Sequence, residues 1–293
     1  TPLDSVYSGV VSLRSLRIVI FLAELNDLEL YGADVSNAYL EAETREKVYI
    51  VGGLGFGELQ GHTLLIHKAL YGLKSSGKRW HEKLFDILRA MNFTPSKADS
   101  DVWYRRVNDA YEYIAVYVDD LAIASKQPGK IIDELTTQFA LKLKGVGPLT
   151  YHLGCDFVRD TDRTLAYGPK KYIEKILANY ERLFGEAPRM AASPLVQNDH
   201  PEIDESILLN EAGITQYQSL IGELQWCIAL GRFDIMTAIM TMGRFRVCPR
   251  QGHLDRLKRV YGFLRKFKHG AIRVRTGLPD YSEIPHITYD WMY

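Results

Sequence analysis

Ala115-Val116-Tyr117-Val118-Asp119-Asp120-Leu121-Ala122-Ile123-Ala124 places two adjacent carboxylates inside an otherwise apolar run. Its flanks are β-branched and aromatic, and residues 111–118 and 121–125 read as the two strands of a hairpin. Strand interiors exclude charge, because an unpaired ionised carboxylate taken out of water costs several kcal/mol or more. Two side by side also repel. A divalent cation would neutralise them, which makes a metal site the first reading. The second is plain turn chemistry: Asp is a favoured turn residue, and Asp-Asp at a solvated hairpin tip needs no ion.

Working outward, a third acid has a similar setting. Residues 30–35 read as a short hydrophobic strand that closes on Asp34 and is followed by Ser36-Asn37-Ala38-Tyr39. One strand-end Asp plus a hairpin Asp-Asp is a way to assemble a two-metal phosphoryl-transfer site. Two divalent ions about 4 Å apart activate the attacking oxygen and stabilise the leaving one. Mg²⁺ suits such a site, since it prefers carboxylate, phosphate and water oxygens.

An apolar helical pattern covers residues 8–29, and further strands are expected at 48–51 and 63–70. The glycine-rich stretch between those two strands matches no nucleotide-binding fingerprint and reads as a connection. Amphipathic helices are expected at 76–91, through Trp80, Leu84, Leu88 and Met91, and at 130–143, through Ile131, Leu135 and Phe139. A short β segment at 149–159 precedes a helix over 170–184 with Ile173, Ile176, Leu177 and Tyr180 inward. Residues 185–212, broken by Gly185, Pro188, Pro194 and Pro201, read as an interdomain connection. Helices follow at 214–247 and 253–268, and the tail beyond 276 lacks a folding pattern.

A chain of 293 residues can bury a large core and divide into two domains. Its 46% hydrophobic and 25% charged residues are ordinary for a soluble globular protein. The early apolar run 18–23 is too short to span a membrane, so no membrane partner is expected. No signal peptide is expected either, and the opening Thr1-Pro2 suits a piece of a longer polypeptide. Cys155, Cys227 and Cys248 have no metal-binding spacing and read as small core residues in a reducing setting. The net charge of zero hides an asymmetry: between Arg244 and Arg275, eleven Lys or Arg face one acid, Asp255. Such a block is expected to form a phosphate-binding surface.

Asp34-Val35-x-x-Ala38-Tyr39 with Tyr117-Val118-Asp119-Asp120 resembles the reverse transcriptases of copia-type LTR retrotransposons. Leu70-Tyr71-Gly72-Leu73-Lys74 with Trp80, Tyr151-His152-Leu153-Gly154, Tyr217-x-Ser219-Leu220-Ile221-Gly222-x-Leu224, Arg232-x-Asp234-Ile235, and His253 with Lys258-Arg259 extend the resemblance in order over nearly the whole chain. It implies an α+β fold, a right-hand polymerase with partial fingers and an antiparallel palm over 1–184. A connecting segment at 185–212, a mostly helical thumb and connection at 213–275, and a tail at 276–293 toward an absent ribonuclease H domain would follow.

The resemblance also implies roles. Asp34, Asp119 and Asp120 would be catalytic and hold two Mg²⁺ ions, with Mn²⁺ a substitute. Tyr39 would be the steric gate that clashes with a ribose 2′-OH, and Gly72 and Lys74 would line the incoming nucleotide. His152, Leu153 and Gly154 would position the primer, and Lys258 and Arg259 would lie on the duplex. Partners would be an RNA template, a DNA primer or RNA/DNA duplex, and deoxynucleoside triphosphates, within a Gag-Pol type polyprotein. The setting would be intracellular, in a cytoplasmic virus-like particle. A catalytically silent fragment that only binds nucleic acid is the alternative. Ser75-Ser76-Gly77-Lys78 stands where the family has Gln-Ala-Pro-Arg, and the missing proline is expected to leave that loop less fixed.

Overall fold

The computed structural model describes residue 6 and residues 8–277. The hairpin exists and lies in the middle of a sheet: β6 (Ala110–Tyr117) runs into β7 (Asp120–Ser125) through a two-residue turn. Both strands are buried on both faces. Ile114, Val116, Leu121 and Ile123 point one way, and Ala115, Ala122 and Ala124 the other. With β4 (Thr94–Pro95), β5 (Val102–Val107), β1 (Glu29–Val35) and β8 (Leu143–Pro148) they form an antiparallel six-stranded sheet ordered β4-β5-β6-β7-β1-β8.

The alternation of large and small residues decides what covers each face. The large-residue face receives α3 (Ser76–Ala90) and α4 (Pro128–Asp133), which contribute Trp80, Leu84, Leu88 and Ile131. The alanine face lets α1 (Leu13–Leu25) approach through Leu16, Val19, Ile20 and Ala23. Each large apolar side chain fully buried this way contributes roughly 1.5–3 kcal/mol. Helix α1 is shorter than its apolar pattern. Ser12 caps its start by accepting from the Ser15 N–H, and Asp27, at φ 51°, turns the chain away after it.

A one-turn helix, α2 (Ala38–Glu41), follows β1 and leads into a separate two-stranded ribbon, β2 (Glu43–Val51) with β3 (Thr63–Lys68). The helix expected over 130–143 ends early. After α4 the chain takes a π turn over Glu134–Gln138, and Ala140 sits at φ 52°. Thr136 and Thr137 hydroxyls donate back to the Ile132 and Asp133 carbonyls, competing with the regular ladder.

The segment 149–159 divides into β9 (Tyr151–His152) and β10 (Cys155–Arg159), which pair around Leu153-Gly154. With β11 (Leu165–Gly168) and β12 (Ile272–Val274) they make a four-stranded sheet, so the end of the basic block returns to β structure rather than staying helical. Helix α5 (Lys170–Phe184) buries Ile173, Ile176, Leu177 and Tyr180, as their spacing requires. It packs with α6 (Glu211–Ala229), α7 (Met236–Met242) and α8 (Gln251–Lys266) around Tyr217, Leu224, Leu257 and Tyr261.

Residues 185–212 are not a loose connection. They lie along α8, and the basic block supplies the bonds that hold them. Arg256 pairs with Asp199 and Asp204, Arg259 donates to the Ser193 hydroxyl, and Arg265 donates to the Pro188 carbonyl. Gly262 lets the strand of chain pass, since a Cβ there would stand 1.9 Å from the Arg189 oxygen. Lys268 meets Glu174, and Arg273 meets Asp160 and Asp162. The expected phosphate-binding surface is therefore largely engaged in internal pairs, because acids some 50 residues upstream come back to meet it. Cys155 and Cys227 are buried as expected, whereas Cys248 is exposed. Among the described residues no helix is long and apolar enough to cross a membrane. The expected tail beyond residue 277 lies outside the described residues.

Candidate active site

Register brings the three acids to one end of the six-stranded sheet. Asp34 is the direct cross-strand partner of Asp120, and Asp119 occupies the adjoining β6–β7 turn. The Val35 N–H donates to the Asp119 carbonyl at 2.8 Å, which locks the turn to β1. Like charges directly opposite on neighbouring strands repel. Burial first, and then Asp119 and Asp34, push the Asp120 carboxyl above its ordinary range.

The turn itself is held under backbone strain. Val118 sits at φ 59°, a conformation that β-branched residues avoid. Its carbonyl accepts from the indole Nε1 of fully buried Trp80 at 2.7 Å. Helix α3 thus fixes the height of the Asp119-Asp120 turn. The sequence marks Trp80 as core but carries no sign of this bond.

Lys144 was not foreseen. A break in the β1–β8 register sets it opposite Asp34, and its Nζ lies 3.1 Å from the Asp34 Oδ1. The bond to Asp34 and the charges of Asp34 and Asp119 raise its pKa. Only the pairing of β8 with β1 reveals this cation, since the two residues stand 110 positions apart in the chain.

Among the described residues no three His, Cys, Asp or Glu side chains close into a metal cage. The sheet end instead presents an open set of carboxylate oxygens, with one ammonium on Asp34. That donor set fits Mg²⁺, which keeps waters and is bound through one or two carboxylates plus substrate phosphates rather than by an all-protein enclosure.

Tyr39, on α2, and Tyr71 flank the acids. Their ring centroids are 4.3 Å apart at 37°. Desolvation, followed by Asp119, Tyr39 and Asp34, raises the Tyr71 phenol pKa, so Tyr71 faces the carboxylates. Gly72 takes φ 99° in open space at the turn that presents Tyr71, and Lys74 is exposed two residues on. The loop is not loose despite its missing proline. The Ser76 hydroxyl donates to the Leu70 carbonyl at 2.6 Å, and Ser75 is buried.

The remaining site residues lie elsewhere. His152 is buried and packed against Leu13, Leu16, Arg17 and Ile20 in a small internal cavity, and burial lowers its pKa to about 4. Its side chain cannot touch a duplex from there. Leu153, at φ 46°, and Gly154, at φ 87°, form the hairpin tip, where Gly154 abuts Leu230. Lys258 pairs with Asp255 and covers the Phe184 ring, while Arg259 binds Ser193. Arg259 belongs to the α8 face that holds the 185–212 segment, whereas Lys258 lies over the end of α5.

Residues 2–190 match the family described as "Reverse transcriptase (RNA-dependent DNA polymerase)". The "Retrovirus-related Pol polyprotein from transposon TNT 1-94" of Nicotiana tabacum is 29% identical over 276 residues, 89% of this chain and 20% of the relative. The "Putative transposon Ty5-1 protein YCL074W" of Saccharomyces cerevisiae is 28% identical, over 83% of this chain and 79% of the relative. The "Retrovirus-related Pol polyprotein from transposon RE1" of Arabidopsis thaliana is 26% identical, over 92% of this chain and 18% of the relative. The chain thus spans about a fifth of the length of the tobacco and Arabidopsis polyproteins. With the family matched over most of its length and transposon Pol relatives aligned nearly end to end, the chain belongs to the reverse transcriptase family, in its copia-type retrotransposon branch.

Proposed function

We propose that this chain is the RNA-directed DNA polymerase segment of a copia-type Pol polyprotein, adding deoxynucleotides to a primer 3′ end on RNA or DNA. The observation that carries the reading is the cross-strand register of Asp34 with Asp120, with Asp119 on the adjoining turn. In this reading the six-stranded sheet is the palm, the β2–β3 ribbon belongs to the fingers, and α6–α8 form the thumb side. Asp34, Asp119 and Asp120 would hold two Mg²⁺ ions, with Mn²⁺ able to substitute. When bound, the metal would neutralise the triphosphate and favour an ionised primer hydroxyl.

The protein's own residues do the positioning. Trp80 and the Val35 N–H fix the turn that carries Asp119 and Asp120. Asp34, paired with Lys144 in the structure, would hold the cation in place of that ammonium. Tyr39 stands where a 2′-OH would meet its ring, an instance of specificity through a clash with the wrong substrate. Gly72 and Lys74 border the nucleotide, and the Leu153-Gly154 tip meets the primer, with His152 as its buried anchor. Lys258 and Arg259 reach the duplex backbone only by leaving Asp255 and Ser193. A particle within the cytoplasm is the setting that follows for such a polyprotein.

The second reading, a silent fragment that only binds nucleic acid, draws on Lys144, whose ammonium already occupies Asp34. Primer extension on an RNA template with Mg²⁺ or Mn²⁺ separates the two. Extension that disappears in Asp119→Asn and Asp120→Asn supports the polymerase. Duplex binding with no extension by the wild type, in both metals, supports the silent fragment.

A further inference from the structure

Tyr71 is 66% exposed, yet its ring is not idle in solvent. It packs against Tyr39 with ring centroids 4.3 Å apart and tilted by 37°, and the charges of Asp119 and Asp34 act on its phenol. A large ring left so open contributes little to the core, so its placement needs another account. Tyr39 itself packs against the core that α3 helps to build, and its hydroxyl ends beside α3 at Gly77, where a Cβ would lie 3.9 Å from it. The loop that carries Tyr71 is pinned at the Leu70 carbonyl, which accepts from the Ser76 hydroxyl and the Leu73 N–H, and it turns at Gly72 with φ 99°.

We propose that Tyr71 is a specificity-determining residue that acts with Tyr39 as a two-ring gate for the sugar of the incoming nucleoside triphosphate; this rests on the polymerase reading above. The physical reason is stiffness. A single ring discriminates against a 2′-OH only if it cannot tilt away from it, since a clash that the protein relieves by moving costs the wrong substrate nothing. Tyr71 restricts that escape by packing directly against the Tyr39 ring. An aromatic pair contributes about 0.5–1.5 kcal/mol beyond its buried area, equivalent to about two- to twelvefold in an affinity ratio.

The test measures equilibrium binding of deoxynucleoside and ribonucleoside triphosphates to the full chain on a dideoxy-terminated primer annealed to an RNA template. Circular dichroism confirms that each variant is folded. Tyr39→Val is expected to reduce the deoxy-to-ribo affinity ratio most. Tyr71→Ala is expected to reduce it about three- to tenfold by strengthening ribonucleotide binding, and Tyr71→Phe, which keeps the ring, to restore it. A ratio unchanged in Tyr71→Ala while it falls in Tyr39→Val overturns the two-ring gate and leaves the polymerase reading intact. So does a uniform loss of both nucleotides in Tyr71→Ala, or a ratio that Tyr71→Phe fails to restore. A wild type that binds neither nucleotide, or both equally, overturns the gate together with the reading beneath it.

Discussion

The two ends of the β6–β7 pair treat their carboxylates in opposite ways. At one end, buried Glu112 accepts from Arg105 at 2.6 Å and from the Ser125 hydroxyl at 2.5 Å. Arg105 also binds Glu134 and the Met91 carbonyl and covers the Phe93 ring. Opposite charges and hydrogen bonds there satisfy one another, and the network closes β5, β6 and the π turn together. At the other end, Asp34, Asp119 and Asp120 approach one another, and among the described residues the exposed Lys144 supplies the compensating charge. The first arrangement serves the fold. The second leaves negative potential directed outward, which suits a site for exogenous cations.

Neutralising the outward end should separate activity from stability most sharply. Asp120→Asn is expected to lower primer extension by about a thousandfold or more, since metal-ion charge stabilisation contributes several kcal/mol. The same change should leave stability equal or raise it by about 0.2–1 kcal/mol, because it removes a like-charge pair. Urea unfolding beside single-turnover extension reads both. A variant that loses activity only by unfolding would erase the contrast between the two ends.

The paired end should respond in the reverse sense. Glu112→Ala leaves Arg105 without one of its two carboxylates and is expected to cost about 3–5 kcal/mol in urea unfolding, with extension per folded molecule retained.

His152 sharpens the comparison through pH. Its pKa is lowered from 6.5 to about 4 by burial, so the unfolded chain takes up the proton first as pH falls. Stability from this group is complete above about pH 6.5 and is lost as pH drops toward 4, by up to roughly 3 kcal/mol. Thermal melts over that interval should show the slope, and His152→Leu should flatten it.

Trp80→Phe carries the smallest effect. It removes the bond to the Val118 carbonyl, and about 1 kcal/mol of stability is expected to go with it. Because that bond holds the strained turn under Asp119 and Asp120, kcat should fall about tenfold while duplex affinity is unchanged. An unaltered kcat would show that the turn keeps its height without α3.

Much of this was legible in local pattern. The hairpin around Asp119-Asp120, the strand ending near Asp34 and the inward face of α5 follow from periods of two and 3.6, which are properties of neighbouring residues. The features that neighbouring residues do not settle share a different origin. The 130–143 pattern has helical spacing, yet Thr136 and Thr137 divert the backbone. The 244–275 block has the composition of a phosphate surface, yet Asp199 and Asp204 return to claim Arg256. His152 sits in a motif read as a primer contact, yet α1 covers it.

By itself, the amino-acid order determined the central hairpin, the strand of Asp34, most helices and the family, because hydrophobic periodicity and ordered motifs act over a few residues at a time; β4, β5, β8, β11 and β12 emerge only in the folded sheets. Tertiary structure alone decided that Lys144 meets Asp34, that Tyr71 lies against Tyr39, and that Arg256 is claimed by Asp199 and Asp204. Those outcomes depend on strand register and on charges brought together across long stretches of chain, where an ionic or aromatic contact forms only after the backbone has fixed its partners in place.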